Sequence, residues 1–279
     1  MSRIQGLNKN QCLLKWPGGK SKICDKLYGF AGDKKTLIEP FVGSASVFLN
    51  IGEMFDKYIG IDNNSDLILL FNEIKKDPHF IIKESRKLFE GGNNATAYYS
   101  SRKLFNELDR SDPMRAAHFV YLNRHGYNGL CRYGIRKGNY NVPFGDNSKV
   151  YFPHEEILNF HRMSNEMESQ FICDDFAVAF HGAEDAFIYA DPPFIELSKT
   201  SSFKNYSGMA YTHEDDERLD LLATEARGND NICVVSNHMT DKVFDLYKGS
   251  SEHVVFSAKR NISCKKTRKP VEEVLIVYS

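Results

Sequence analysis

The chain has little that points to a membrane, a metal or a disulfide framework. No continuous apolar run in its 279 residues approaches the ~20 needed to span a bilayer, and no repeat or low-complexity tract interrupts it. The first eleven residues are polar and lack an apolar stretch of the kind that directs secretion, so a cytoplasmic protein is expected. The six cysteines, Cys12, Cys24, Cys131, Cys173, Cys233 and Cys264, are scattered, with no CxxC pair and no adjacent histidine. That spacing argues against zinc or any other metal centre and reads as reduced, small apolar side chains. Charge of one sign is also missing: the formal net charge is −1. A near-neutral sum does not exclude nucleic acid, because DNA senses the basic face presented to it and not the total.

What is present suffices for a substantial core, with 42% hydrophobic and 13% aromatic residues. The length fits one large α/β domain or a core carrying an insertion. Residues 124–137 and 259–269 are locally basic. The acid run Glu214, Asp215, Asp216 and Glu217 follows Thr212, an N-cap residue, and reads as the first turn of a helix favoured by its dipole, with no function assigned.

Residues 36–39 read as a strand entering a small-residue turn, 47–51 as the opening of a helix, and 57–61 as a second strand ending at Asp62. Together these form half of a nucleotide-binding unit. Residues 72–123 have a helical pattern, and 123–145 are rich in Gly, Asn, Arg and Tyr with several turn signals. Strands then return at 186–190, 231–236 and 271–278. The economical reading is an α/β, Rossmann-like core in two parts, 1–71 and 156–279, interrupted by a mainly helical insertion at 72–155.

Two ends of this core carry chemistry. At the first, Glu39-Pro-Phe-Val-Gly-Ser-Ala-Ser46 would cradle a nucleotide-like ligand, and Asp62 is placed to accept ribose hydroxyls; alone, such a turn is often only a turn. Leu14-Lys-Trp-Pro-Gly-Gly-Lys20 holds the sole tryptophan, which suits either an adenine ring or the core. At the second, an apolar strand ends in Asp191-Pro-Pro-Phe194. A carboxylate and a carbonyl held by stiff prolines can accept both N–H groups of an exocyclic amine, localising its lone pair for methyl transfer, while an aromatic stacks on the base. The plainer reading is a turn that ends a strand.

These blocks, with IDNNSDLI, YLNRHGYNGLCRYGIRKGNYNVPFG, SNH and RNISCKKTRKPVEEVLIVY, occur in one order from Leu14 to Tyr278. So arranged, the chain resembles the DNA adenine methyltransferase (Dam) family, which modifies adenine in GATC, in the α group of amino-methyltransferases. The resemblance implies an S-adenosylmethionine-dependent methyltransferase core with a target-recognition insertion. It implies catalysis by Asp191, Pro192, Pro193 and Phe194, and cofactor binding by Trp16, Pro17, Lys20, Phe41, Gly43, Asp62, Asp175, Phe176 and Asp191. Duplex DNA would be met by Lys15, Tyr127, Asn128, Leu130, Arg132, Asn141, Pro143 and Arg260, with the adenine flipped from the stack. No membrane contact and no obligate protein partner are implied.

Three residues depart from the family pattern. Ala45 stands for the second glycine of FxGxG, Phe194 for the tyrosine of DPPY, and Asp146 for an arginine near the DNA backbone. They keep open an alternative: a Dam-like reader with little methyl transfer that masks GATC. Methylation of cytosine-N4 or of RNA is less favoured, because the GATC-reading residues are largely intact.

Overall fold

The computed structural model describes residues 10–135, 138–193, 211–258 and 271–279. A seven-stranded sheet forms its centre, in the order β3-β2-β1-β4-β5-β7-β6. The strands are β1 (Thr36–Glu39), β2 (Lys57–Asp62), β3 (Glu168–Cys173), β4 (Ala186–Ala190), β5 (Ile232–His238), β6 (Glu252–Ala258) and β7 (Val271–Tyr278). The first five are parallel, and β7 runs antiparallel between β5 and β6.

Alternation along the strands sorts the core into two layers. Leu37, Tyr58, Phe187, Tyr189 and Val234 face one core, while Ile38, Ile61, Ile188, Ala190, Cys233 and Val235 face the other. The α/β reading holds, and β1, β2, β4, β5 and β7 fall where the sequence pattern puts them. The chain builds outward from β1 through β2 to β3, then returns to lay β4 on the opposite side of β1. That reversal makes the carboxyl ends of β1 and β4 the switch point of the sheet, where open α/β sheets bind ligands.

The remaining helices are α1 (Cys24–Phe30), α2 (Ser46–Ile51), α3 (Ser65–Lys76), α4 (Pro78–Glu90), α5 (Ala95–Glu107), α6 (Pro113–His125), α7 (His154–Glu166), α8 (His213–Ala226) and α9 (Asp241–Leu246). The helical pattern of 72–123 divides at its caps. Asp77 and Asp112 accept from the backbone of α4 and α6, each followed by a proline in the first turn, and Asn94 caps α5. Helix α6 is buried from Arg115 to His125 and forms the axis of this region. Arg124 therefore belongs to no basic face: its guanidinium donates to the carbonyls of Leu13 and Cys12. The acid run opens α8 as expected, where Asp215 accepts from Thr212 N. Among the described residues no helix is long and apolar enough to cross a membrane.

Candidate active site

The switch point is built on a buried acid. Glu39 ends β1 and accepts from Phe48 N at 3.0 Å and from the Tyr58 hydroxyl at 2.9 Å, fastening α2 to the sheet. Burial pushes its carboxyl up to about 8 despite both bonds. The turn after it needs an unusual backbone. Gly43 has φ +48°, and a Cβ there would lie 3.0 Å from Trp16 Nε1, so the indole rests directly against the glycine. Gly43 N donates to Asp62 Oδ2 at 3.1 Å, and Asn64 N donates to Oδ1 at 3.0 Å. Burial raises Asp62 to about 6, and the two N–H donors oppose that rise. Each Asp62 oxygen retains a lone pair, enough to receive a diol.

Beside this turn, Lys20 links the two chemical ends of the sequence. Its backbone N–H donates to Ser46 Oγ at 3.0 Å, at the start of α2. Its Nζ donates to Gly18 O at 3.0 Å and pairs with Asp191 Oδ1 at 2.8 Å, the two side chains being 8% and 22% exposed. Burial raises the pKa of Asp191, and the adjacent ammonium draws it back. Asp191 directly follows β4, with Pro192 buried and Pro193 half-buried behind it, and Pro17 is also half-buried. Phe194 lies outside the described residues.

An aromatic wall flanks the turn. Phe41 stacks on Phe176 with centroids 5.2 Å apart, and Tyr211 meets Phe41 edge-on at 5.7 Å. The Arg218 guanidinium lies 4.2 Å over Phe176 and pairs with Asp175, which also caps the short turn that holds Phe176. Tyr211 and Arg218 were not legible as site residues. The acid run held the signal for Tyr211, since buried Asp216 accepts from its hydroxyl at 3.0 Å and from Tyr247 at 2.8 Å.

The residues expected to meet DNA gather on a second surface, a ribbon bridged at Gly126–Phe144 and Tyr133–Tyr140. Tyr127 N donates to Pro143 O, and Asn141 N to Arg132 O. Tyr127, Asn128, Arg132, Asn141 and Pro143 are exposed, and Leu130 is half-buried. Asn128 has φ 53°, which turns the tip, and Arg132 Nε donates to Asn141 Oδ1 at 2.6 Å. Lys15 joins the ribbon to the Trp16 segment. It exchanges backbone bonds with the Asn123 amide at 2.8 and 2.9 Å, and its Nζ donates to Arg124 O at 3.1 Å. Burial and then Arg124 lower its pKa. A Cβ on Gly129 would fall 2.3 Å from Lys15 Cβ, so only glycine fits there. Arg260 and the basic tail at 259–269 lie outside the described residues.

This arrangement has three chemical capacities: a buried acid held by the Gly43 turn with acceptor sites to spare, an aromatic wall beside it, and a lysine-held carboxylate at the end of β4 that can accept an amine N–H. The comparisons bear on what it acts upon. The family model for D12 class N6 adenine-specific DNA methyltransferase matches residues 16–262. The chain is similar to the DNA adenine methylase of Escherichia coli (strain K12), 40% identical over 276 residues, or 98% of this chain and 96% of that one. It is 39% identical to that of Serratia marcescens over 277 residues, covering 98% and 100%. The likeness to that of Vibrio cholerae serotype O1 is 38% over 278 residues, 98% of each chain.

Proposed function

The chain belongs to the D12 class N6 adenine-specific DNA methyltransferases, and from that premise we propose that it methylates the adenine of GATC, taking the methyl group from S-adenosylmethionine and acting on a base flipped out of the duplex. That it is an adenine-specific DNA methyltransferase follows from the family and its relatives; the sequence read, the donor and the flipping are the proposal. The observation that carries it is the Lys20–Asp191 pair at the end of β4, set beside the Gly43–Asp62 turn.

The residues present fit the donor. Gly43 admits the Trp16 indole against the turn and donates to Asp62, and Asp62 keeps acceptor capacity for ribose hydroxyls. Trp16, Pro17, Lys20, Phe41, Asp175 and Phe176 would complete the cofactor surface, and Tyr211 joins them. When bound, the donor supplies an electrophilic methyl group. Asp191 accepts one N–H of the adenine amine, and the Pro192–Pro193 segment stiffens the backbone whose carbonyl accepts the other. Lys20 opposes the effect of burial on Asp191 and orients its carboxylate as an acceptor. Phe194 is proposed to stack on the flipped base.

For DNA, Arg132 is proposed to read guanine, with Leu130 and Pro143 against a thymine methyl and Lys15 near the first guanine. Tyr127 and Asn128 would fill the space the adenine leaves. Arg260 would hold phosphate, giving affinity without sequence information. In this reading 72–155 serves recognition while 1–71 and 156–279 serve chemistry, in a cytoplasmic, DNA-associated enzyme that needs no protein partner.

Labelled S-adenosylmethionine incubated with unmethylated duplexes containing GATC or a scrambled site tests this. Label is expected in GATC duplexes alone and is lost with Asp191→Ala. Transfer to the scrambled duplex at equal rate would overturn the target. GATC binding without transfer would support the second reading, a masking protein, to which Phe194 in place of the family's tyrosine points.

A further inference from the structure

The recognition ribbon rests on one buried carboxylate. Asp66, in the first turn of α3, is 1% exposed. It holds the buried Arg115 guanidinium, whose Nη2 donates to Oδ2 at 3.1 Å and whose Nε donates to Oδ1. Arg115 also donates to the carbonyls of Phe105 and Leu108, so this pair is a neutralised, well-bonded part of the insertion. Two further groups reach the same carboxylate from the ribbon side. The Tyr133 hydroxyl donates to Oδ2 at 2.6 Å, and Arg110 Nη1 lies 3.4 Å from it. Arg110 Nη2 then donates to Gly138 O at 3.0 Å. One strand of the ribbon is thus tied to Asp66 directly and the other through Arg110.

The tether brackets Arg132. Side chains alternate along extended backbone, so buried Cys131 and Tyr133 point inward while Arg132 between them points out. Asn64 Nδ2 donates to Cys131 Sγ at 3.3 Å, and Asp66 receives Tyr133. Both neighbours of Arg132 are therefore held by the single turn of residues 64–66. Arg115 already neutralises Asp66, so the Tyr133 bond is not needed to balance a buried charge. What it does is fix the height and register of the ribbon.

We propose that Asn64, Asp66 and Tyr133 form a positioning clamp that sets sequence discrimination by Arg132, without touching DNA themselves. The clamp rests on the reading of Arg132 as a guanine contact. A guanidinium reads two acceptors of a guanine edge only if its fork is aligned, so a ribbon that can rock loses discrimination before it loses affinity for the phosphates.

Tyr133→Phe is the variant that tests it, because it keeps the buried ring and removes only the hydroxyl. Discrimination is the ratio of Kd values, by fluorescence anisotropy at fixed salt, for duplexes changed at the guanine pair that Arg132 reads and for the unchanged duplex. The measurement requires no turnover, so a failure of methyl transfer leaves it intact. Discrimination is expected to fall about tenfold, the scale of a hydrogen bond to a charged group, while Kd for S-adenosylhomocysteine stays at the wild-type value. Arg110→Gln is expected to produce a smaller loss of the same kind. In an Arg132→Ala background, Tyr133→Phe should cause no additional loss. A Tyr133→Phe protein with wild-type discrimination, or one that loses equally in both backgrounds, overturns the clamp. Should methylation mapping return a motif other than GATC, the proposed target fails, and the same ratios on that motif still decide the clamp.

Discussion

Ala45 adopts backbone that glycine would hold without strain, with φ 57° and ψ 32°. Its methyl group is fully buried in the core that also contains Leu14 and Phe48, so the departure from the family glycine strains the turn while the methyl packs inward. The left-handed conformation costs an L-residue about 1–2 kcal/mol, and a buried methyl returns about 0.8 kcal/mol. Ala45→Gly is therefore expected to leave stability within about 1 kcal/mol and cofactor affinity unchanged, as read by denaturant midpoint and calorimetry. A large loss on either readout would mean that the methyl does more than fill space. Asp62 gives a second expectation at this scale. In the proposed ribose contact its carboxyl, raised to about 6 by burial, accepts more strongly once ionised. S-adenosylhomocysteine affinity should therefore rise with pH through about 6 and level off above it, and Asp62→Asn should bind more weakly with that inflection absent. An inflection that persists in Asp62→Asn would mean that Asp62 is not the group titrating.

Among the elements, the insertion was legible only as one helical pattern over 72–123; its division into three helices rests on side-chain caps, Asp77 before Pro78, Asn94, and Asp112 before Pro113, which that periodicity did not mark. Composition misled at Arg124, where a locally basic stretch begins on a helix that is buried all round. The ribbon is held in part by backbone bonds between residues far apart in sequence, such as Gly145 N to His125 O, which periodicity does not reveal. Asp146 follows that bond, exposed and at φ 47°. An acid beside a DNA backbone repels it, and the repulsion is screened by salt. Asparagine tolerates left-handed backbone, so Asp146→Asn changes the charge and keeps the turn. It is expected to tighten duplex binding by about two- to fivefold at low salt, equally for GATC and scrambled DNA, with the gain shrinking as salt rises. A gain confined to GATC would instead give Asp146 a part in base reading.

For the molecule as a whole, the sequence carried the interior of the sheet better than its edges. The apolar runs of β1, β4 and β5 are buried on both faces, whereas β3 and β6 lie at the two ends of the order and are diluted with polar residues, Glu168-Ser-Gln and Glu252-His. Neither edge strand was expected from the pattern. The Lys20–Asp191 pair spans most of the chain, so the sequence could name both residues but not their contact. The same holds for Glu39, read only as the residue where a strand enters its turn. It is the acid on which β1, β2 and α2 converge, and its titration reaches global stability. With its folded pKa raised to about 8, the native state keeps a proton that the unfolded chain releases near the ordinary value of about 4.3. Unfolded protein therefore binds fewer protons between these limits. The contribution of Glu39 is complete below about pH 4 and is lost as pH climbs through about 8. Glu39→Gln retains an oxygen for Phe48 N and the Tyr58 hydroxyl but cannot ionise. Guanidinium midpoints at pH 5, 7 and 9 should show the variant close to wild type at pH 5 and increasingly more stable as pH rises. Parallel wild-type and variant profiles would mean that Glu39 is ionised in the native protein, and that the end of β1 carries a buried negative charge beside Asp191.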